Sequence, residues 1–249
     1  FSPTWPARPT VGASLAQTLD VTERIPLPMN RVRLARVLAV CVVLFALAFY
    51  GVGAAIKPGY SSVSHFIGEL NATGTAWAQE LGYFGFIPLG GLFGAFLWAA
   101  GPHAQVRGAS RWGWFLLWAQ PLSLVAVAFV PCDAACPLEG SASQALHNLQ
   151  GVVAYFASGL GLLLLSFAPP LAGSPAYRRY FLRLAGVAFA IIFFVMLSPD
   201  VASIRGVLQR TADAFLAVSL LLIAWRVVRQ GTQVTPNNSF KPRPLRGSA

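Results

Sequence analysis

Charge is what this chain has least of. Of its 249 residues only 10% are Asp, Glu, Lys or Arg, against roughly 25% in an ordinary soluble domain. So few polar groups cannot cover the surface of a soluble globule of this size, which excludes that class. Cysteine is scarce as well: three in the whole chain make no disulfide framework, so a cystine-stapled secreted module is excluded. Histidine also numbers three, with no His-Glu-x-x-His or paired-His motif, so the usual helical zinc-hydrolase signature is missing. The net charge of +10 invites a nucleic-acid reading. The basic residues, however, sit in short clusters beside apolar runs, so the charge reads as topological and nucleic acid is discounted as a partner.

What the chain does have is apolar length. Hydrophobic residues make up 56% of it, and a window of about 19 residues picks out six runs near the ~20 residues that cross hydrocarbon. They cover 37–56, 81–100, 112–131, 149–169, 184–198 and 206–225. The fifth reaches full length only if residues 180–183 join it, with Arg183 snorkelling to the interface. The sequence therefore predicts an all-α, polytopic membrane bundle of six transmembrane helices over 31–229 with the lipid bilayer as its partner.

The flanking charges orient it. Arg31, Arg33, Arg36, Arg107, Arg111, Arg178, Arg179, Arg183, Arg226 and Arg229 fall on one side of a six-span arrangement. Glu69, Glu80, Asp133, Glu139, Asp200 and Asp213 fall on the other, with Lys57, Arg205 and Arg210. By the positive-inside rule both termini are cytoplasmic and the acidic face is outside. Residues 1–30 are read as an irregular extension in which Met29 is a natural start, and 230–249 as a disordered cytoplasmic tail. Span one carries Gly53-Ala54-Ala55, small residues such as signal peptidases cut beside, but its run is long for a signal, so an uncleaved anchor is expected. Within span two, Gly90 and Gly94 are spaced for close helix packing inside the bundle, and Pro88 and Pro121 are expected to kink spans two and three. A homo-oligomer through that glycine face stays open.

Any activity is expected at the outer face. In the first outer loop Val63, Phe66, Ile67 and Leu70 follow the i, i+3, i+4, i+7 rule, which predicts a short amphipathic helix with Ser62, His65 and Glu69 opposite. His65 and Glu69 are metal or acid–base candidates, though a solvated polar face explains the spacing as well. Asn71-Ala72-Thr73 reads as a turn or helix stop. In the second outer loop Cys132 and Cys136 are expected to form a small disulfide, with a zinc set of Cys132, Cys136 and His147 as the alternative. Arg210 and Asp213, three apart, share a helix face and are a candidate ion pair. The candidate outer cluster is thus His65, Glu69, Asp133, His147, Asp200, Arg210 and Asp213, all expected at one membrane depth. A faint internal echo, Leu149-Gln150 with Phe156 against Leu208-Gln209 with Phe215, hints at two hairpins of related design.

The stretch Pro58-Gly59-Tyr60-Ser61 through Ser64-His65-Phe66-Ile67-Gly68-Glu69-Leu70-Asn71-Ala72-Thr73-Gly74, the Pro131-Cys132-Asp133 turn, His147, and Gly206-Val207-Leu208-Gln209-Arg210 carry a likeness. Over about 31–229 the chain resembles the domain-of-unknown-function 998 family of six-span prokaryotic membrane proteins, with Gly68 and Asn71 in place of an expected Ser and Gly. That resemblance implies a multi-pass protein of the bacterial inner membrane and a candidate surface, and no assigned reaction. The leading functional expectation is a non-catalytic role, binding or sensing at the polar outer face, with no cofactor. The first alternative is a membrane-embedded metal-dependent hydrolase acting on a lipid, its zinc held by His65, Glu69 and His147. The second is a small-solute transporter.

Overall fold

The computed structural model describes residues 30–229, so both the expected N-terminal extension and the expected tail lie outside the described residues. Helix α1 runs Arg31–Ile56, started by the Asn30 side chain, which accepts from the Val32 N–H. A five-residue 3-10 turn, Ile67–Asn71, lies in the connection to α2 (Ala78–Leu81), which continues through a π-helical turn at Gly82–Phe86 into α3 (Ile87–Ala100). The π turn sits immediately before Pro88. A proline cannot donate to the preceding turn, and the wider turn accommodates the lost bond, so the helix runs on as one body over Ala78–His103.

Pro121 has a larger effect. Its missing N–H denies the Leu117 carbonyl an i+4 donor, so that carbonyl accepts from the Gln120 N–H at 3.3 Å instead, and the chain breaks at Leu117–Trp118 into α4 (Ala109–Leu116) and α5 (Ala119–Val127). The expected single helix over 112–131 is therefore two short ones. Next come α6 (Ala142–Leu165), capped by Ser141, a single turn α7 (Pro169–Ala172), α8 (Ala176–Met196) and α9 (Arg205–Arg226). The fifth apolar run gains its length at the basic end, where Arg183 donates to Ser166 Oγ at 3.2 Å and stacks on Phe167. Among the described residues, five helices are long and apolar enough to cross a membrane: α1, Ala78–His103, α6, α8 and α9. The protein is a multi-pass helical membrane protein.

The helices close into a ring. Helix α1 packs on α3 and α9, α3 on α5, α4 and α5 on α6, α6 on α8, and α8 on α9. Glycines bring the walls together: Gly159 and Gly186 lie face to face between α6 and α8, and Gly113 and Gly161 between α4 and α6. Gly90 meets the Pro121 carbonyl of α5, so its packing is internal, as the spacing predicts. Phe93, Phe96, Leu162, Leu182 and Leu220 fill the core, while Leu44, Leu47, Phe84, Leu122 and Phe194 stand exposed on the outside. An apolar exterior around a packed interior is the arrangement a bilayer solvates.

Candidate functional site

One end of the ring is capped by its two longest connections. The first differs from the expected amphipathic helix. Only 67–71 is helical, as a 3-10 turn, because Glu69 Oε1 turns back to accept from the Phe66 N–H at 2.8 Å and closes the turn tightly. Ile67 and Leu70 are buried and Val63 is exposed, so the apolar spacing does not become one face. Glu69 is buried too, and pairs with Arg205 at 3.1 Å. Arg205 also donates to the carbonyls of Ser64 and Ala135 and lies over the Phe66 ring. It thereby joins the first loop, the second loop and the start of α9. Lys57 donates to the Leu70 and Ala76 carbonyls and to Thr75, and burial pushes its ammonium below the usual lysine range.

Arg210 continues the tether. It donates to the His65 carbonyl at 3.2 Å and to the Tyr60 hydroxyl at 2.7 Å. Burial pushes the Tyr60 phenol up, opposed by that guanidinium. Gly206 has no side chain because the Ser62, Val63 and His65 carbonyls of the loop press against it. Tyr60, Lys57 and Arg205 were not among the expected site residues. Their only signal was position: Lys57 and Tyr60 open the first outer loop, and Arg205 stands just before span six.

Beneath this cap lies an outer pocket of about 580 Å³ between α6, α8 and α9, with walls including Val152, Phe193, Met196 and Leu197. It meets a smaller inner cavity of about 90 Å³ that reaches Tyr50, Gln120, Ser123, Gln150 and Asp213. Gly68, His147, Gly151, Tyr155 and Gln209 border both, so the two spaces adjoin at these residues. Two helical stripes line the two spaces. On α9, Arg205 stands at the outer pocket, Gln209 at the junction and Asp213 at the inner cavity, each four residues apart. On α6, His147, Gly151 and Tyr155 repeat the spacing. Gln209 is oriented by accepting from the Ile67 N–H at 2.5 Å. The His147 Nδ1 lies 3.1 Å from the Val130 carbonyl and 3.5 Å from the Gln150 side-chain nitrogen, and Nε2 stands beside Gly68. Among the described residues, the buried Tyr155 hydroxyl and Gln150 carbonyl have no hydrogen-bond partner.

A family model described as "Protein of unknown function (DUF998)" matches residues 39–226. The chain belongs to the DUF998 family. The matched DUF998 region contains the cap, both stripes and both spaces. No curated protein and no solved structure matches the chain.

The seven expected site residues part company in this DUF998 structure. His147 borders both spaces and Asp213 the inner one, while Glu69 and Arg210 hold the cap to α9. His65 is internal to its loop, its Nδ1 accepting from the Ser61 N–H at 2.9 Å. Asp133 accepts from the Ser141 N–H and hydroxyl, both at 2.8 Å, which hold its carboxyl below the usual range. Asp200 sits on the exposed turn Pro199–Val201. Asp213 lies eight residues, about 12 Å, along α9 from Arg205, the residue that pairs with Glu69. The expected Arg210–Asp213 ion pair is not made: among the described residues the Arg205–Glu69 pair is the only salt bridge. Arg210 turns to the loop and Asp213 to the cavity.

The metal candidates separate similarly. Among the described residues, His65, Glu69 and His147 do not form a ligand group, whereas Cys132, Cys136 and His147 have ligand atoms within 4.8 Å of one another. Cys132 and Cys136 are joined as a disulfide. Asn71 ends the 3-10 turn and donates to the Val127 carbonyl at 2.8 Å, which fits the helix-stop reading.

Proposed function

We propose that this protein is a six-span component of the bacterial inner membrane, with both termini inside, that binds an amphiphilic molecule from the outer face as a receptor or sensor. On this reading α4 and α5 together form the third span, broken at Pro121. The segregation of acidic and basic flanks supports the orientation. One observation carries the binding role: a largely apolar pocket of about 580 Å³ adjoins an inner cavity with buried, unpartnered polar groups. Such a pair of spaces accepts an apolar chain and a polar head in one molecule. Catalysis by a metal held by His65, Glu69 and His147 finds no support in their separated placement. Transport is favoured by the same buried polar groups but would need an inward exit, where Phe93, Phe96, Leu162 and Leu220 are close-packed.

The test uses Gly151, which borders both spaces and has nothing within 4 Å of where a Cβ would be. Gly151→Leu therefore blocks the junction without a backbone clash. Native mass spectrometry of the protein released from membranes is expected to show a bound amphiphile in wild type and none in Gly151→Leu. Equal occupancy in a correctly folded variant overturns the assignment to this pocket.

A further inference from the structure

The inner cavity has an electrical character of its own. Asp213 is the one acidic residue on its wall, and it makes no salt bridge to any described residue. The nearest cation on its own helix, Arg210, is committed to the loop through the His65 carbonyl and the Tyr60 hydroxyl. Lys57 is committed to the loop as well, and Arg205 pairs with Glu69 at the outer pocket. A carboxylate inside a membrane bundle is expensive without a counter-charge. Beside it stand two further groups able to accept hydrogen bonds, the Tyr155 hydroxyl and the Gln150 carbonyl, both buried and without partners. Tyr155 is 7% exposed and borders both spaces. The Tyr50 hydroxyl on the same wall is a neutral donor to Asp213, so the carboxylate is hydrogen-bonded but has no counter-charge, and with the free acceptors beside it suits a head group that is cationic and rich in N–H donors. The outer pocket, with Val152, Phe193, Met196 and Leu197 in its walls, suits an alkyl chain.

Resting on the binding role proposed above, we infer that the ligand is a cationic amphiphile, an alkylammonium whose head pairs with Asp213 in the inner cavity while its chain occupies the outer pocket. The primary ammonium has three N–H donors for Asp213, Tyr155 and Gln150. The paired Glu69 and Arg205 leave the outer pocket without net charge, so selection by charge falls to the inner end. An anionic amphiphile would instead have to displace Glu69 from Arg205 and keep its head at the outer pocket.

Three probes of equal chain length separate the outcomes: radiolabelled dodecylammonium, dodecanol and dodecanoate, bound to the full-length protein in phosphatidylcholine nanodiscs after subtraction of empty discs. Dodecylammonium is expected to bind roughly tenfold or more tightly than dodecanol, the range of one charge-assisted hydrogen-bonded contact. Asp213→Asn is expected to erase that difference while keeping dodecanol binding, and Gly151→Leu to remove both. Equal binding of ammonium and alcohol to wild type, or strongest binding of dodecanoate, overturns the cationic ligand and leaves the binding role intact. Failure of all three probes to bind above empty discs overturns the binding role itself. The wild-type comparison decides the matter even if Asp213→Asn does not fold.

Discussion

At the scale of single residues, Arg205 has the widest reach. It joins Glu69, the Ser64 and Ala135 carbonyls and the Phe66 ring, so one side chain holds both outer connections to α9. Its side chain is 22% exposed and that of Glu69 8%, so removing the guanidinium leaves a nearly buried carboxylate unpaired. Arg205→Ala is expected to cost about 2 kcal/mol, read as a lower Tm in detergent and faster proteolysis within residues 57–77. Arg205→Lys is expected to restore less than half of it, because an ammonium cannot serve three acceptors in a plane and lie flat on Phe66. A Lys variant as stable as wild type would mean that charge alone holds the cap. Arg205 was visible in the sequence only as an outside basic residue, because its partners lie far away along the chain.

At the scale of helices, glycine position decides how closely the walls approach. A Cβ at Gly186 would stand 2.5 Å from the Gly159 carbonyl oxygen, whereas one at Gly91 meets nothing within 4 Å. Gly186→Ala is expected to destabilise by about 1–3 kcal/mol through forced separation of α6 and α8. Gly91→Ala is expected to be neutral or to stabilise by up to about 1 kcal/mol, since alanine is the better helix former. Thermal unfolding of the two variants side by side tests this, and equal losses would sink the packing account. The same crossing supports one wall of the outer pocket, so Gly186→Ala is expected to weaken ligand binding where Gly91→Ala does not. Proline position was legible in the sequence as a disturbance but not in its kind. Pro88 follows a π turn and its helix continues, while Pro121 splits a span in two, because local packing decides how freed backbone groups are satisfied.

At the scale of the whole molecule, orientation is the open quantity that one experiment settles. Alkaline phosphatase, which needs an oxidising compartment for its own disulfides, is expected to be active when fused after Glu139 and inactive after Ser174 or Arg229. Green fluorescence from a protein fused at the same points is expected to show the reverse pattern. Phosphatase activity after Arg229 and none after Glu139 would invert the whole bundle and put the cap inside. It would also put the Cys132–Cys136 disulfide in doubt, since a reducing compartment would not sustain it.

The sequence by itself determined the solvent, the helical class and the outline of the helices, because hydrophobic length and charge placement are local quantities that no folding partner alters. It also pointed to the disulfide, since only three residues stand between Cys132 and Cys136 in an outer loop. The tertiary structure alone decided the site. Gln150, Gln209 and Asp213 stand on two helices, and their meeting in one cavity depends on how α6 and α9 are rotated in the ring. The echo of Leu149-Gln150 in Leu208-Gln209 was a trace of it, since both glutamines border that cavity. The i, i+4, i+8 stripe of Arg205, Gln209 and Asp213 was present in the sequence, but which of its members faced the loop, the junction or the cavity was set by packing. The seven outer polar residues were expected together because a membrane boundary gathers charges at one level. A folded bundle distributes them by partner, pairing Glu69 with Arg205, turning Arg210 to the loop and leaving Asp213 to face inward.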